Sequence, residues 1–340
     1  MRRRLALVVA GVLAVTVAAP ATALLPRGEI RFVDLPAASA PIAPPDAVIA
    51  PVPNAPAPRV AMLASPEPDA GRGPPVALDP RLVETTALGG LPRKGADGRT
   101  PLGHYARPAA RDCSRPCVAV VISGLGLADR ITERALTLPG EVALSFSPYG
   151  RAAVWQERAR AAGHETLLGL PLAAEPTAAD DRGPLAIGPD ATPAALRAAA
   201  LRILAEGGGY VALDGSAGAF AADPGRFAPL AEELSARGLA LIEIGGQSLA
   251  APSGPVGLPY AGGAVPIDLD PSPAAVERAL AEVAAAARAH GRAIAVAQPL
   301  PGTLDRLAAW IARLPEAGLA LVPPSVLLAA RAGAVAGRDD

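Results

Sequence analysis

Three carboxylates stand where buried strands run out: Asp214 after YVAL, Glu243 inside LALIEI, and Asp268 after AVPI. Carboxylates gathered at strand ends can act as general acid and base, or hold a divalent cation through their oxygens. Glu243, Asp268 and Asp214 are therefore the catalytic candidates. Ser123, Gly124, Gln298 and Asp270 stand at equivalent strand ends and are the pocket candidates. Each has a plainer reading beside the chemical one. Asp214 precedes Gly215-Ser216 and can start a turn, Asp270 or Ser272 can cap the following helix, and Gln298 can hold its own strand end. Glu243 has no partner nearby in sequence, which makes it the most suggestive of the three acids. No histidine falls at any strand end. His104 lies in a polar stretch, His164 follows a helix and reads as structural, and His290 ends a helix whose dipole favours it. No set of metal ligands emerges from the sequence.

The elements that must position these residues begin with Val118–Leu127, VAVVISGLGL, an apolar run followed by a small-residue break. Such a run reads as a strand buried on both faces, and the glycines suit a tight turn into the next helix. Strands follow at Val142–Phe146, Glu165–Leu170, Tyr210–Leu213, Leu239–Ile244, Val265–Ile267, Ala293–Ala297 and Leu319–Val322. Helices are predicted at Asp129–Leu138, Arg151–Ala162, after the Thr192-Pro193 cap, and near 225–236, 273–290 and 302–314. The Gly- and Pro-rich stretch Gly245–Gly263 shows no helix. Strand and helix alternate throughout, which predicts a parallel α/β fold, and eight short strands suit a closed barrel better than an open sheet. Chemistry in such folds sits at the carboxyl ends of the strands.

The chain has 340 residues, 51% of them hydrophobic, so there is ample material for a core. Its net charge of −1 and the absence of a basic cluster beyond the amino terminus exclude an electrostatic partnership with nucleic acid. Met1–Ala23 carries Arg2-Arg3-Arg4, an apolar stretch and an Ala-Thr-Ala ending, the pattern of a secretory signal peptide; residues 5–19 would serve as a membrane anchor if retained. Either outcome exports the remainder to the periplasm, with membrane contact only through this segment. Residues 24–112 are dense in Pro and Ala and read as a semi-extended, disordered linker, although the more polar Leu91–Pro108 end could lie against the domain. On that reading, a chain beginning near Arg111 keeps its full stability. Cys113 and Cys117 could close a small disulfide loop, remain thiols, or form half of a metal pair with no second half in sequence.

Several stretches together resemble the divergent polysaccharide deacetylases of bacterial envelopes: VAVVISGLGL, ALTLPGEVALSFSPYG, ERARAAGHETLLGLPL, FAADPGRFAPLAEELSARGL and AIAVAQPLPGTLDRL. They occur in the family's order between about Val118 and Ser325, and LPRKGADGRTPLGHYARP resembles the segment preceding that domain. The resemblance implies a distorted (β/α) barrel over residues 113–332, of the glycoside hydrolase and deacetylase superfamily. It also implies a divalent metal, usually zinc, that activates water against an acetyl group on a glycan. The family's functional residues do not carry over. Two aspartates that usually end its first strand fall on Ser123 and Gly124, and an Asn-Asn-His stretch falls on Leu213, Asp214 and Gly215. A later aspartate and serine correspond to Glu243 and Ile244, a Leu-Asp to Ile267 and Asp268, and a His-Pro to Gln298 and Pro299. Only Asp268 and Glu243 keep comparable chemistry, so no cofactor is expected. The resemblance therefore points to an exported, catalytically inactive relative that binds a glycan or an envelope protein. The alternatives are an active deacetylase or hydrolase with a rearranged carboxylate site, and a structural envelope protein.

Overall fold

The structure is a computed structural model that describes residues 77–108, 113–173 and 183–328. The signal or anchor segment 1–23 and the linker up to 76 lie outside the described residues. The described chain opens with a hairpin, β1 (Val83–Thr86) and β2 (Gly89–Pro92), and a short helix, α1 (Pro101–Tyr105). These fall in the tract assigned above to the linker, so that assignment is corrected for residues 77–108. The prolines misled: Pro80 and Pro101 open helical turns, where the missing N–H would have been unpaired anyway. Thr100 caps α1 by accepting the Gly103 N–H. Leu82, Leu91 and Tyr105 are buried, and Asp79 receives the Arg81 N–H, with both the Arg81 and Arg99 guanidinium groups on its carboxylate. Arg81 holds Asp79 well below the usual carboxylate range.

Seven parallel strands then form the barrel: β3 (Cys117–Leu125), β4 (Ala143–Phe146), β5 (Thr166–Gly169), β6 (Ala212–Gly215), β7 (Ala240–Ile244), β8 (Tyr260–Pro266) and β9 (Arg292–Ala297). Each pairs with the next, and β9 returns to β3 from Arg292↔Cys117 to Ala297↔Ile122. The eighth predicted strand is only β10 (Ala320–Leu321), which pairs with Cys117 and Val118. It does not close the barrel, because β9 already occupies one edge of β3. It fills the other edge ahead of Val121, where the pairing with β4 begins. β8 starts earlier than its sequence suggests, because Pro259, Gly262 and Gly263 obscure its apolar pattern.

Alternation along the strands separates two packed layers. Val118, Val120, Ile122, Leu144, Leu168 and Leu213 face the helices: α2 (Asp129–Ala135), α3 (Ala152–Ala161), α4 (Pro193–Leu204), α5 (Ala228–Ala236), α6 (Ala250–Ser253), α7 (Pro273–His290) and α8 (Pro301–Arg313). α6 is a single turn inside Gly245–Gly263, where no helix was expected. The interior layer is built from small residues such as Ala119, Ala143, Ala212 and Ala240, with Val121 and Ile242. A barrel of seven strands is narrow, and bulkier side chains on every strand would not fit within it. Leu82 and Tyr105 join this layer together with Val326, Leu327 and Leu328 of the helical turn 324–328, so the base of the barrel is plugged from both ends of the described chain.

Glu165, at the start of β5, ties that plug together. Its carboxylate accepts the backbone N–H of Arg107 at 2.9 Å and of Ser325 at 3.1 Å, and also the Ser325 hydroxyl. Arg107 further reaches the Gly163 carbonyl and the Glu141 carboxylate. Cys113 and Cys117 are joined in a disulfide at the entrance to β3.

Candidate functional site

The opposite end of the barrel, where the strands finish, is open. At the end of β3 the register against β4 shifts between Ile122 and Leu125, and Gly124 takes a positive φ of 86°. This bulge brings Ser123 into the mouth, and glycine is the residue that adopts such a backbone without steric conflict. On β6, Gly215 lets the chain pass close to its neighbour: a Cβ there would stand 2.6 Å from the Leu170 carbonyl. Asp214 precedes it, on the same inward face as Ala212.

Asp214 is 2% exposed and lies on the floor of the mouth. Its Oδ2 accepts the Ser123 hydroxyl at 2.6 Å, and its Oδ1 accepts the hydroxyl of Ser145 from β4. Burial pushes its carboxyl above the usual range, against the pull of the two hydroxyls. Asp268, 4% exposed, follows β8 and accepts the Gln298 N–H at 2.9 Å through Oδ2. Burial raises it as well, and that hydrogen bond opposes the shift. Above these two acids opens a cavity of about 920 Å³. Ser123, Gly124, Asp214, Asp268 and Gln298 all line it, so the structure brings five of the seven candidates together. The remaining wall is largely aliphatic, with Leu127, Ile131, Leu170, Ile244, Val296 and Leu300, and among the described residues no Lys, Arg or His contributes to it.

The other two candidates lie elsewhere. Glu243 is fully buried and not in the cavity wall. It alternates outward from Ile242 and Ile244, toward the loop that enters α6. There it accepts the N–H groups of Ser248 and Leu249 and the Tyr260 hydroxyl, at 3.0, 2.8 and 2.6 Å. These three donors give it a structural task, and Ile244 takes its place at the mouth. Asp270 is exposed and accepts the Ser272 N–H at 2.9 Å in the turn before α7; Ser272 is the N-cap and makes no side-chain capping bond, so the expected cap is corrected to a local turn. His164 is buried with its ring nitrogens near the carbonyls of Val142 and Leu136, a structural position. Ser145 was missed in the sequence, although a lone hydroxyl inside the apolar ALSF is a visible signal. So were Leu127, Tyr149 and Leu269 on the rim, for which loop sequence gives no pattern.

The closed parallel barrel, plugged at its base and open where the strands finish, defines a (β/α)-barrel domain with a pocket at the carboxyl ends of its strands. Residues 120–328 match the family described as divergent polysaccharide deacetylase, and the chain belongs to that family. Among solved structures it is similar to the uncharacterized protein ATU2773 from Agrobacterium tumefaciens C58. The two share 28% identity over 70% of this chain and 99% of that one, with a TM-score of 0.66. A likeness to the HpcH/HpaI aldolase from Desulfitobacterium hafniense DCB-2, at 13% identity over 66% of this chain and 94% of that one, has a TM-score of 0.20 and does not bear on the site. No curated protein matches the chain.

The zinc that the family implies does not fit the residues present. Catalytic zinc takes three protein ligands, usually including imidazole, with a position left for water. Here the floor offers two carboxylates, and both oxygens of Asp214 already accept hydroxyls. Among the described residues, no group of three His, Cys, Asp or Glu side chains is arranged to hold a metal ion.

Proposed function

We propose that this chain is a non-catalytic member of the divergent polysaccharide deacetylases, exported to the periplasm, which works by binding a ligand of the cell envelope in the barrel mouth. The observation that carries this reading is the pairing of Asp214 with Ser123 and Ser145. A carboxylate that accepts two neutral hydroxyls is fixed in place by them, and with one other carboxylate and no imidazole lining the mouth among the described residues, it lacks the partners of a catalytic metal site. The cavity above it remains large enough for a small ligand, within the usual range of such sites.

Elemental analysis of the protein purified without chelators, together with an assay of acetate release from acetylated glycans with and without added zinc, tests the reading. The expected outcome is neither stoichiometric zinc nor zinc-dependent turnover. One zinc per chain, with acetate release lost in Asp268→Asn, would establish the rearranged-site hydrolase instead.

A further inference from the structure

Resting on the reading that the mouth binds rather than hydrolyses, we propose that its occupant is a small amphiphile: a protonated primary amine on an apolar stem. The ammonium sits on Asp268 and Asp214, and the stem lies along the aliphatic wall. Charge supplies the first argument. Among the described residues, two carboxylates line the cavity and no Lys, Arg or His does, so an anionic ligand meets two acids and no counter-charge from them. The second argument is desolvation. Both acids are held almost out of water beneath apolar side chains, where an ion pairs strongly or not at all. A cation entering the cavity finds a carboxylate at Asp268 and a second at Asp214, and any proton held by the acid it pairs with is released as it binds.

The shape and lining of the mouth define the rest of the molecule. A sugar presents hydroxyls all round and needs partners or aromatic faces, whereas this wall is mostly aliphatic, with a few hydroxyls and, among the described residues, Tyr149 as its one aromatic. The rim points the same way. Leu127 is 64% exposed and Leu269 is 80% exposed, and both border this cavity. Large apolar side chains left bare around a cavity mark a surface that a hydrophobic partner covers. The volume of about 920 Å³ exceeds what one lysine side chain from a docked protein would fill, which favours a free small molecule.

The test is calorimetric titration of the exported protein with three probes of equal stem length, hexylamine, hexanol and hexanoate, at neutral pH. Hexylamine should bind at least about tenfold more tightly than hexanol, with hexanoate weakest. Asp268→Asn should lower the hexylamine affinity about tenfold and leave hexanol within about twofold. Repeating the wild-type titration in buffers of different ionisation enthalpy should reveal net proton release with the amine alone, a readout that needs no variant. Hexanoate binding as tightly as hexylamine, an amine affinity unchanged in Asp268→Asn, or no binding of any probe would each overturn the inference. None of these depends on acetate release or on zinc, so the non-catalytic reading stands or falls separately.

Discussion

Ser123 on β3 and Asp214 on β6 are 91 residues apart in sequence, yet the serine hydroxyl donates to Asp214 Oδ2 at 2.6 Å inside the barrel. With Ser145 opposite, this bond satisfies a carboxylate that would otherwise be buried without partners. Ser123→Ala and Ser145→Ala each leave one oxygen unpaired and should lower stability by about 1–3 kcal/mol in chemical denaturation. If both variants unfold at the wild-type midpoint, the carboxylate is not sustained by these hydroxyls.

Glu165 makes stability depend on pH. Burial raises its carboxyl from the ordinary 4.5 to about 7, against the pull of Ser325 and the Arg107 N–H. The folded state therefore holds a proton that the unfolded state gives up. This contribution is fully present below about pH 4.5 and is lost as pH rises through about 7, on the order of 3 kcal/mol in all. Denaturation midpoints between pH 4 and 8 should fall across that window, and Glu165→Gln should flatten the slope. An unchanged slope in the variant would assign the pH dependence to other groups.

The segment 77–108 is part of the domain, and its removal should be felt. A chain starting at Ala77 should melt like a longer one. A chain starting at Arg111 loses Leu82, Leu91, Tyr105 and the Arg107 contacts to Glu165 and Glu141. Burial of three such side chains amounts to roughly 5 kcal/mol, so the shorter chain should unfold well below the longer one or fail to fold. Equal melting temperatures would return the segment to the status of a spacer.

Glu243 and Asp268 should respond in opposite ways. Glu243→Ala removes the acceptor for three hydrogen bonds and should destabilise the protein by about 2–4 kcal/mol, while ligand affinity at the mouth is preserved in the fraction that folds. Asp268→Asn keeps the hydrogen bond from Gln298 and should leave the melting temperature nearly unchanged while altering affinity. Parallel melting and binding curves for the two variants decide whether the two acids have been told apart correctly.

The barrel was legible in the sequence because most of its strands are short apolar runs closed by a helix start or a glycine, β8 with its internal glycines being the exception. The site was legible only to the strand end. That a polar residue stands near the finish of a strand places it near the mouth, but the face it occupies depends on a parity that apolar runs hide. In β6, Ala212 and Asp214 share the inner face, whereas in β7 that face belongs to Ala240, Ile242 and Ile244, and Glu243 turns away. With Ala, Leu and Ile on both sides of the sheet, neither face declares itself until the barrel closes. The base plug was obscured because proline density suggested an extended chain, when Pro80 and Pro101 begin helical turns.

The pairing of β9 with β3 and the meeting of Ser325 with Glu165 set an order on assembly. The two partners in the second contact are 160 residues apart. A ribosome delivers β3 first, and through most of synthesis that strand has an open edge and Glu165 lacks its last donors. Local strand–helix units can form as they emerge, but ring closure waits for the seventh barrel strand, and locking of the base waits for the helical turn 324–328. A chain cut short even a few residues before Ser325 would therefore carry a nearly complete barrel with an unsatisfied acid beneath it. Such a product is well suited to recognition by proteases as unfinished.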